Sequence, residues 1–265
     1  MGKIVSVLNE KGGVAKTTTV KNLACCLAGR GKKVLAVDLD SSANLTRSLD
    51  LHPTEETGTI VEIIDSMLHF EKQIPENYGI MHFGEGIDVI PSDMRLLQWT
   101  ERIRESFRRE EVLERYLDGI RDLYDYILID CPGGLELLTQ NAMFASDHIL
   151  IPTEATKLSI DAMQNIFVTL NLVHQAKGVE SPTILGILFC LVRMNTVNNR
   201  MIMSYAREKY DDVVRVFEHF IPLSTSVNES DVAFKSVMAY QPKSPAAVQY
   251  QGFADEFLTI LEGGE

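Results

Sequence analysis

Hydrophobic and polar positions follow two rhythms along the chain. Short, β-branched apolar runs at Ile4–Leu8, Lys33–Val37, Gly86–Pro91, Asp125–Asp130, His148–Ile151 and Thr183–Val192 predict buried strands. Between them, apolar residues recur at helical spacing. Val20, Leu23, Ala24 and Leu27 mark Thr17–Ala28, and Ile60, Ile63, Ile64 and Met67 mark Gly58–Leu68. Further helices are predicted over Thr156–Gln175, Asn198–Tyr210 and Ser244–Leu261, and from a start at Ser92-Asp93. Gly29-Arg30-Gly31 reads as a helix stop, and Phe220-Ile221-Pro222 as the end of a further strand or loop. Residues 44–84 otherwise carry less pattern. Strands alternating with helices predict an α/β fold, with a mostly parallel sheet covered on both faces.

Composition narrows this picture. The 265 residues are 45% hydrophobic, with no linker-like stretch and no repeat, so one domain over residues 1–265 is expected. No apolar run approaches the ~18 residues that would span a bilayer, and no signal peptide is read at the N-terminus. Cys25, Cys26, Cys131 and Cys190 form no C-x-x-C pair and read as small buried hydrophobes of a reduced, cytoplasmic protein. A net charge of −12 and a pI near 5.0 oppose a protein that coats nucleic acid. In Glu101–Asp122, seven acids accompany Arg102, Arg104, Arg108, Arg109, Arg115 and Arg121. Glu105 and Arg109, like Glu111 and Arg115, sit four apart, so a self-paired helical face is expected rather than an arginine stripe.

The chemistry lies where strands end. Asn9–Thr18 (NEKGGVAKTT) joins the first strand to the first helix, an arrangement whose backbone N–H groups and helix N-terminus converge on phosphates. There Lys16 reads as the phosphate lysine, Thr17 as a hydroxyl for Mg²⁺ and Thr18 as a donor to a further phosphate oxygen. The general G-x-x-x-x-G-K-[ST] pattern is not met, because Glu10 and Ala15 occupy its glycine positions. Ala15 is expected to be tolerated at negative φ. Asp38 and Asp40 end the second strand, on the side of an open α/β sheet that faces ligand. Asp130 ends another, followed by Cys131-Pro132-Gly133-Gly134, a Walker B pattern in which the acid holds Mg²⁺.

Residues 11–18 resemble the deviant Walker A of the ParA/MinD/Soj ATPases, roughly K-G-G-V-G-K-T-T, at every position but Ala15. The resemblance implies a three-layer P-loop NTPase fold that takes ATP/ADP and Mg²⁺. By it, Gly12, Gly13, Val14, Ala15, Lys16, Thr17 and Thr18 bind nucleotide, and Lys11 reaches across a homodimer formed with ATP. Lys11, Lys16 and Asp40 would be catalytic, with Asp40 positioning water. Asp38 would support the magnesium and phosphate end, and Thr17, Asp130 and Asp40 would surround the metal. Ser41-Ser42 replace the family's Pro-Gln, and Ile151–Glu154 resembles its I-P-x-x-E segment. Arg193 (with Met194-Asn195) and Pro222 fall where relatives contact adenine.

The family implies weak ATP hydrolysis, stimulated by a partner of ParB type, that segregates or positions DNA or another cargo. Members that bind DNA non-specifically carry I-P-R-x-x-R. Here residues 221–226 are I-P-L-S-T-S, and Arg193, Arg200, Arg207, Arg215, Lys235 and Lys243 are outnumbered by acids. Weak DNA binding or none is expected, with a non-DNA protein-interaction switch as the alternative. MinD-like membrane positioning wants a basic C-terminal helix, whereas residues 253–265 hold no Lys or Arg, so no membrane contact is expected. Iron–sulfur relatives would need a second cysteine at cluster spacing from Cys131.

Overall fold

The computed structural model describes residues 1–68, 77–103, 106–193, 197–210 and 213–263. Seven strands form one sheet: β1 (Lys3–Val7), β2 (Val34–Asp38), β3 (Met81–Phe83), β4 (Ile87–Ile90), β5 (Tyr126–Asp130), β6 (His148–Glu154) and β7 (Thr183–Cys190). Their order is β3-β4-β2-β5-β1-β6-β7. Among the described residues, only the β3–β4 pair is antiparallel. The helices are α1 (Lys16–Ala28), α2 (Asn44–Ser48), α3 (Ile60–Leu68), α4 (Arg95–Ile103), α5 (Val112–Ile120) and α6 (Leu137–Ala145). They continue as α7 (Lys157–Ala162), α8 (Gln164–Lys177), α9 (Val197–Tyr210), α10 (Thr225–Val232), α11 (Val237–Tyr240) and α12 (Pro245–Glu262).

Strand alternation divides the apolar residues between two cores. Ile4, Leu35, Val37, Ile127 and Ile129 face the layer that contains α3–α9. Val5, Val7, Val34, Ala36 and Leu128 face α1 and α12. The apolar stripe expected on the first helix is the buried one: Val20, Leu23, Ala24 and Leu27 are fully covered. Tyr250, Phe253 and Phe257 of α12 belong to the same core. Phe253 packs edge-on against Phe217 at 4.9 Å between ring centroids. Each such ring contributes roughly 2–3 kcal/mol by leaving water. The three-layer α/β fold read from the sequence is therefore the fold observed.

Several local expectations are corrected. Glu101–Asp122 is not one helix: α4 is described as far as Ile103, and Arg108 takes a left-handed conformation (φ 54°) before α5 begins. Glu111 consequently pairs with Arg108 rather than Arg115. Arg104 and Glu105 lie outside the described residues, as do Met194 and Asn195. The helix expected over Thr156–Gln175 is two helices that meet at Met163. Gly29 caps α1 in a right-handed conformation, and Gly31 (φ 79°) makes the left-handed turn.

Topology places the site. The chain passes from β1 to β2 across β5, then from β5 to β6 across β1. Connections diverge at the carboxyl ends of these strands and leave a crevice there. The loops after β1, β2 and β5 all open into it.

Candidate functional site

Asn9 anchors the loop after β1. Its Nδ2 donates to the Pro152 carbonyl at 2.8 Å, and its Oδ1 accepts from the Lys11 amide at 3.0 Å. This Asx-type turn ties the loop to β6 before the glycines begin. Gly13 then takes φ 75° and Ala15 φ 70°, ψ 33°, both left-handed. The negative φ expected at Ala15 is not what forms. Its carbonyl must accept the first turn of α1, from the Thr19 amide at 2.9 Å, and the loop reaches that geometry only through the left-handed region. A Cβ there costs about 1 kcal/mol.

Lys16 is 8% exposed and folds back over the loop. Its Nζ donates to the Asn9 and Lys11 carbonyls, both at 3.1 Å. Burial lowers its pKa, opposed by the charge of Asp130. Lys11 points outward and pairs with Glu154 at the end of β6. Glu10 holds Asn165 of α8 at 2.8 Å. From the other side, the Gly134 amide donates to the Glu10 carbonyl at 3.0 Å, joining the loop after β5 to the loop after β1.

The three strand-end acids have separate environments. Asp38 and Asp130 are register partners on adjacent strands, and both are fully buried. Asp38 Oδ2 accepts from the Thr46 amide at 2.9 Å and the Thr46 hydroxyl at 2.7 Å; Oδ1 accepts from the Asp40 amide at 3.2 Å. Asp40 in turn accepts from the Ser42 amide at 2.8 Å, so the Ser-Ser turn is closed by the acid before it. Both Asp130 oxygens are buried with no hydrogen-bond partner among the described residues. The Thr17 hydroxyl lies near enough to favour the charged form but closes no hydrogen bond. Burial, then repulsion from Asp38, raises the Asp130 pKa well above the ordinary carboxylate range.

An orphaned buried carboxylate beside a threonine hydroxyl suits a hard divalent cation. Mg²⁺ takes one or two protein oxygens and fills its other positions with water and phosphate. Among the described residues, no group of three or more His, Cys, Asp or Glu could hold a metal by itself. Thr17 and Asp130 fit the cation, with Asp40 on the open side.

A cavity of about 530 Å³ lies over these groups. Gly12, Gly13, Ala15, Lys16, Thr17, Thr18 and Asp40 line one part, and Leu191, Pro222, Leu223 and Val227 another. Val14 is fully buried, so only its backbone can serve the loop. Arg193 lines a neighbouring cavity of about 300 Å³ with Glu154 and Asn199. Sequence reading gave no role to Asn9 or to Thr46. Only Asn9 left a signal, an Asn two residues before Lys11 at a strand end.

The AAA domain family AAA_31 matches residues 2–181. The sporulation initiation inhibitor protein Soj of Bacillus subtilis is 31% identical to this chain, over 97% of the chain and 98% of Soj. The chain belongs to the ParA/Soj family. The chromosome partitioning protein ParA of Caulobacter vibrioides is 28% identical, over 97% of this chain and 94% of that protein. Among solved structures, cobyrinic acid a,c-diamide synthase of Mycobacterium smegmatis, with bound ATP analog and magnesium, superposes with a TM-score of 0.84. It is 26% identical and covers 100% of this chain and 98% of its own. In this ParA/Soj protein, residues 11–18 run from the end of β1 into α1, and Ala15 is where they depart from the family's sequence pattern.

Proposed function

We propose that the chain is an ATP-dependent switch: it binds ATP with Mg²⁺, dimerises in that state and resets by weak hydrolysis to ADP and phosphate. The observation that carries this reading is the Asp130 carboxylate, buried and without a partner, beside Thr17 and Lys16. Bound Mg²⁺ would neutralise phosphate charge and so stabilise phosphoryl transfer.

The chain's own groups supply the rest. Lys16 exchanges two loop carbonyls for phosphate oxygens, and loop amides with the α1 N-terminus bind the remainder. Lys11 leaves Glu154 and reaches the nucleotide of the other protomer, which links nucleotide state to assembly. Asp40 orients the water whose oxygen attacks the γ-phosphorus while the bond to ADP breaks. A stimulating partner of ParB type and a cytoplasmic location complete the proposal.

For cargo, one surface favours a protein over DNA. Where DNA-binding members carry arginines, Leu223 is 54% exposed and Ser226 is turned inward, bonded to Ser224 at 2.7 Å. Arg207, a remaining cation, lies 3.7 Å from Glu218. Asp40→Ala protein, blocked in hydrolysis, tests both levels. Sedimentation should give a dimer with Mg²⁺-ATP and a monomer with ADP; a monomer in both states contradicts the switch. Salt-sensitive binding of that dimer to arbitrary DNA would return DNA as the cargo.

A further inference from the structure

The turn that carries Asp40 is strained, and it is held from two sides. After Asp40 the chain enters α2 through Ala43 at φ 50°, ψ 40°, a left-handed conformation in a residue with a Cβ. The Ala43 amide donates to the Asp40 carbonyl at 2.9 Å, and the Ala43 carbonyl accepts from the Arg47 amide at 3.0 Å. Such a conformation persists only where its surroundings fix the backbone. Thr46 supplies one anchor, because it donates to Asp38 and its hydroxyl accepts from the Ser92 amide at 2.9 Å. Lys21 supplies the other.

Lys21 on α1 is wholly buried. Its Nζ donates to the carbonyl of Ser48, the last residue of α2, and to Oδ1 of Asp231 near the end of α10, both at 2.9 Å. An ammonium is costly to bury, and an apolar pair of similar volume would join α1 to α10 at least as firmly. What an apolar side chain cannot do is hold the Ser48 carbonyl. That carbonyl ends the helix that begins at the strained Ala43. Asp231 supplies the counter-charge that lets the ammonium sit beneath it.

Asp40, Asn44 and Ser48 line the large cavity, whereas Lys21 has no exposed surface. The lysine therefore sets where the α2 wall stands relative to α1, whose N-terminus opens on the phosphate loop. We propose that Lys21 is a positioning residue for ATP hydrolysis: through the Ser48 carbonyl it holds α2, and with it the Asp40 turn, against α1. This role rests on the ATPase reading above and adds to it a residue that governs turnover without touching nucleotide.

The test compares the full chain with its Lys21→Met and Lys21→Met/Asp231→Leu variants. The Asp231 side chain is 39% exposed and keeps water when the ammonium is removed, so Lys21→Met should unfold at about the parent's urea midpoint. Its kcat for phosphate release from Mg²⁺-ATP should fall about tenfold, with KM within about threefold of the parent. Amide exchange over residues 42–49 should quicken about tenfold while β1 stays protected. In the double variant an apolar pair rejoins α1 to α10 but leaves the Ser48 carbonyl loose, so kcat should stay low at a parental or higher midpoint. Recovery of kcat in the double variant would show that Lys21 serves packing alone and would overturn the proposal. A kcat within about twofold of the parent in folded Lys21→Met, or unchanged exchange over residues 42–49, overturns it as well; each of these results leaves the ATPase reading intact. A parent chain that releases no phosphate overturns both. Should Lys21→Met not fold, the double variant decides in the same way: low kcat at a parental midpoint supports the positioning role, and parental kcat contradicts it.

Discussion

Asp38 and Asp130 stand side by side at the ends of neighbouring strands, equally buried, yet they live in opposite surroundings. Asp38 accepts three hydrogen bonds from its own loop; Asp130 accepts none. One acid therefore acts inward, holding the segment from Asp40 to Thr46 in shape. The other's oxygens are buried without a donor among the described residues. Position at a strand end makes an acid available to the crevice, but its donors decide whether it is structural or waiting for a ligand. Both acids were expected at the magnesium end; we assign that role to Asp130 and to Asp38 the support of the turn that carries Asp40.

Mutations should pull the pair apart. The largest effect is expected from Asp130→Asn, which should reduce ATP turnover by at least about 100-fold, or roughly 3 kcal/mol, as read by phosphate release. Next, Asp38→Asn places an amide against two donors and should destabilise the folded protein by about 2 kcal/mol in a denaturant titration. Thr46→Val removes the hydroxyl's bond to Asp38 and the bond it accepts from the Ser92 amide, and should lose about 1–2 kcal/mol in the same titration. Ala15→Gly relieves the left-handed Cβ and should raise stability by about 1 kcal/mol. An Ala15→Gly protein no more stable than the parent would mean the loop is not strained there.

The last effect is one of pH. Burial raises the Asp38 pKa to about 6, against hydrogen bonds from Thr46 and Asp40 that lower it. The folded chain thus binds this proton more tightly than the unfolded chain does. Its contribution is fullest below about pH 4, where carboxyls of the unfolded chain are also protonated, and is lost as pH rises through about 6. The difference in unfolding midpoint between the nucleotide-free parent and Asp38→Asn should therefore shift in favour of the variant as pH rises across that window.

Much of this architecture was legible in the apolar runs, because strands buried on both faces read as continuous hydrophobic stretches that stop at the crevice. For that reason the loop with Lys16 and Thr17 and the strand ends with Asp40 and Asp130 could be placed at the crevice. The sign of φ at Ala15 could not, since it belongs to the closed loop and not to the residue. The charged stretch misled because Glu111 and Arg115 have helical spacing on paper, while Arg108 breaks the chain just before them. Lys21 and Asp231 meet across 210 positions, and no local pattern announces such a pair. Asp38 and Asp130 look alike in sequence because Thr46, the donor that separates them, lies eight residues beyond Asp38.

The most direct test of that separation is thermal unfolding of the Asp130→Asn protein, with and without Mg²⁺-ATP, beside the parent. Removing an unpaired buried carboxylate should leave the nucleotide-free protein at least as stable as the parent, while the upward shift with Mg²⁺-ATP disappears. A variant that loses about 2 kcal/mol or more without nucleotide, yet keeps the full shift with it, would show that Asp130 is the structural acid and would contradict the account.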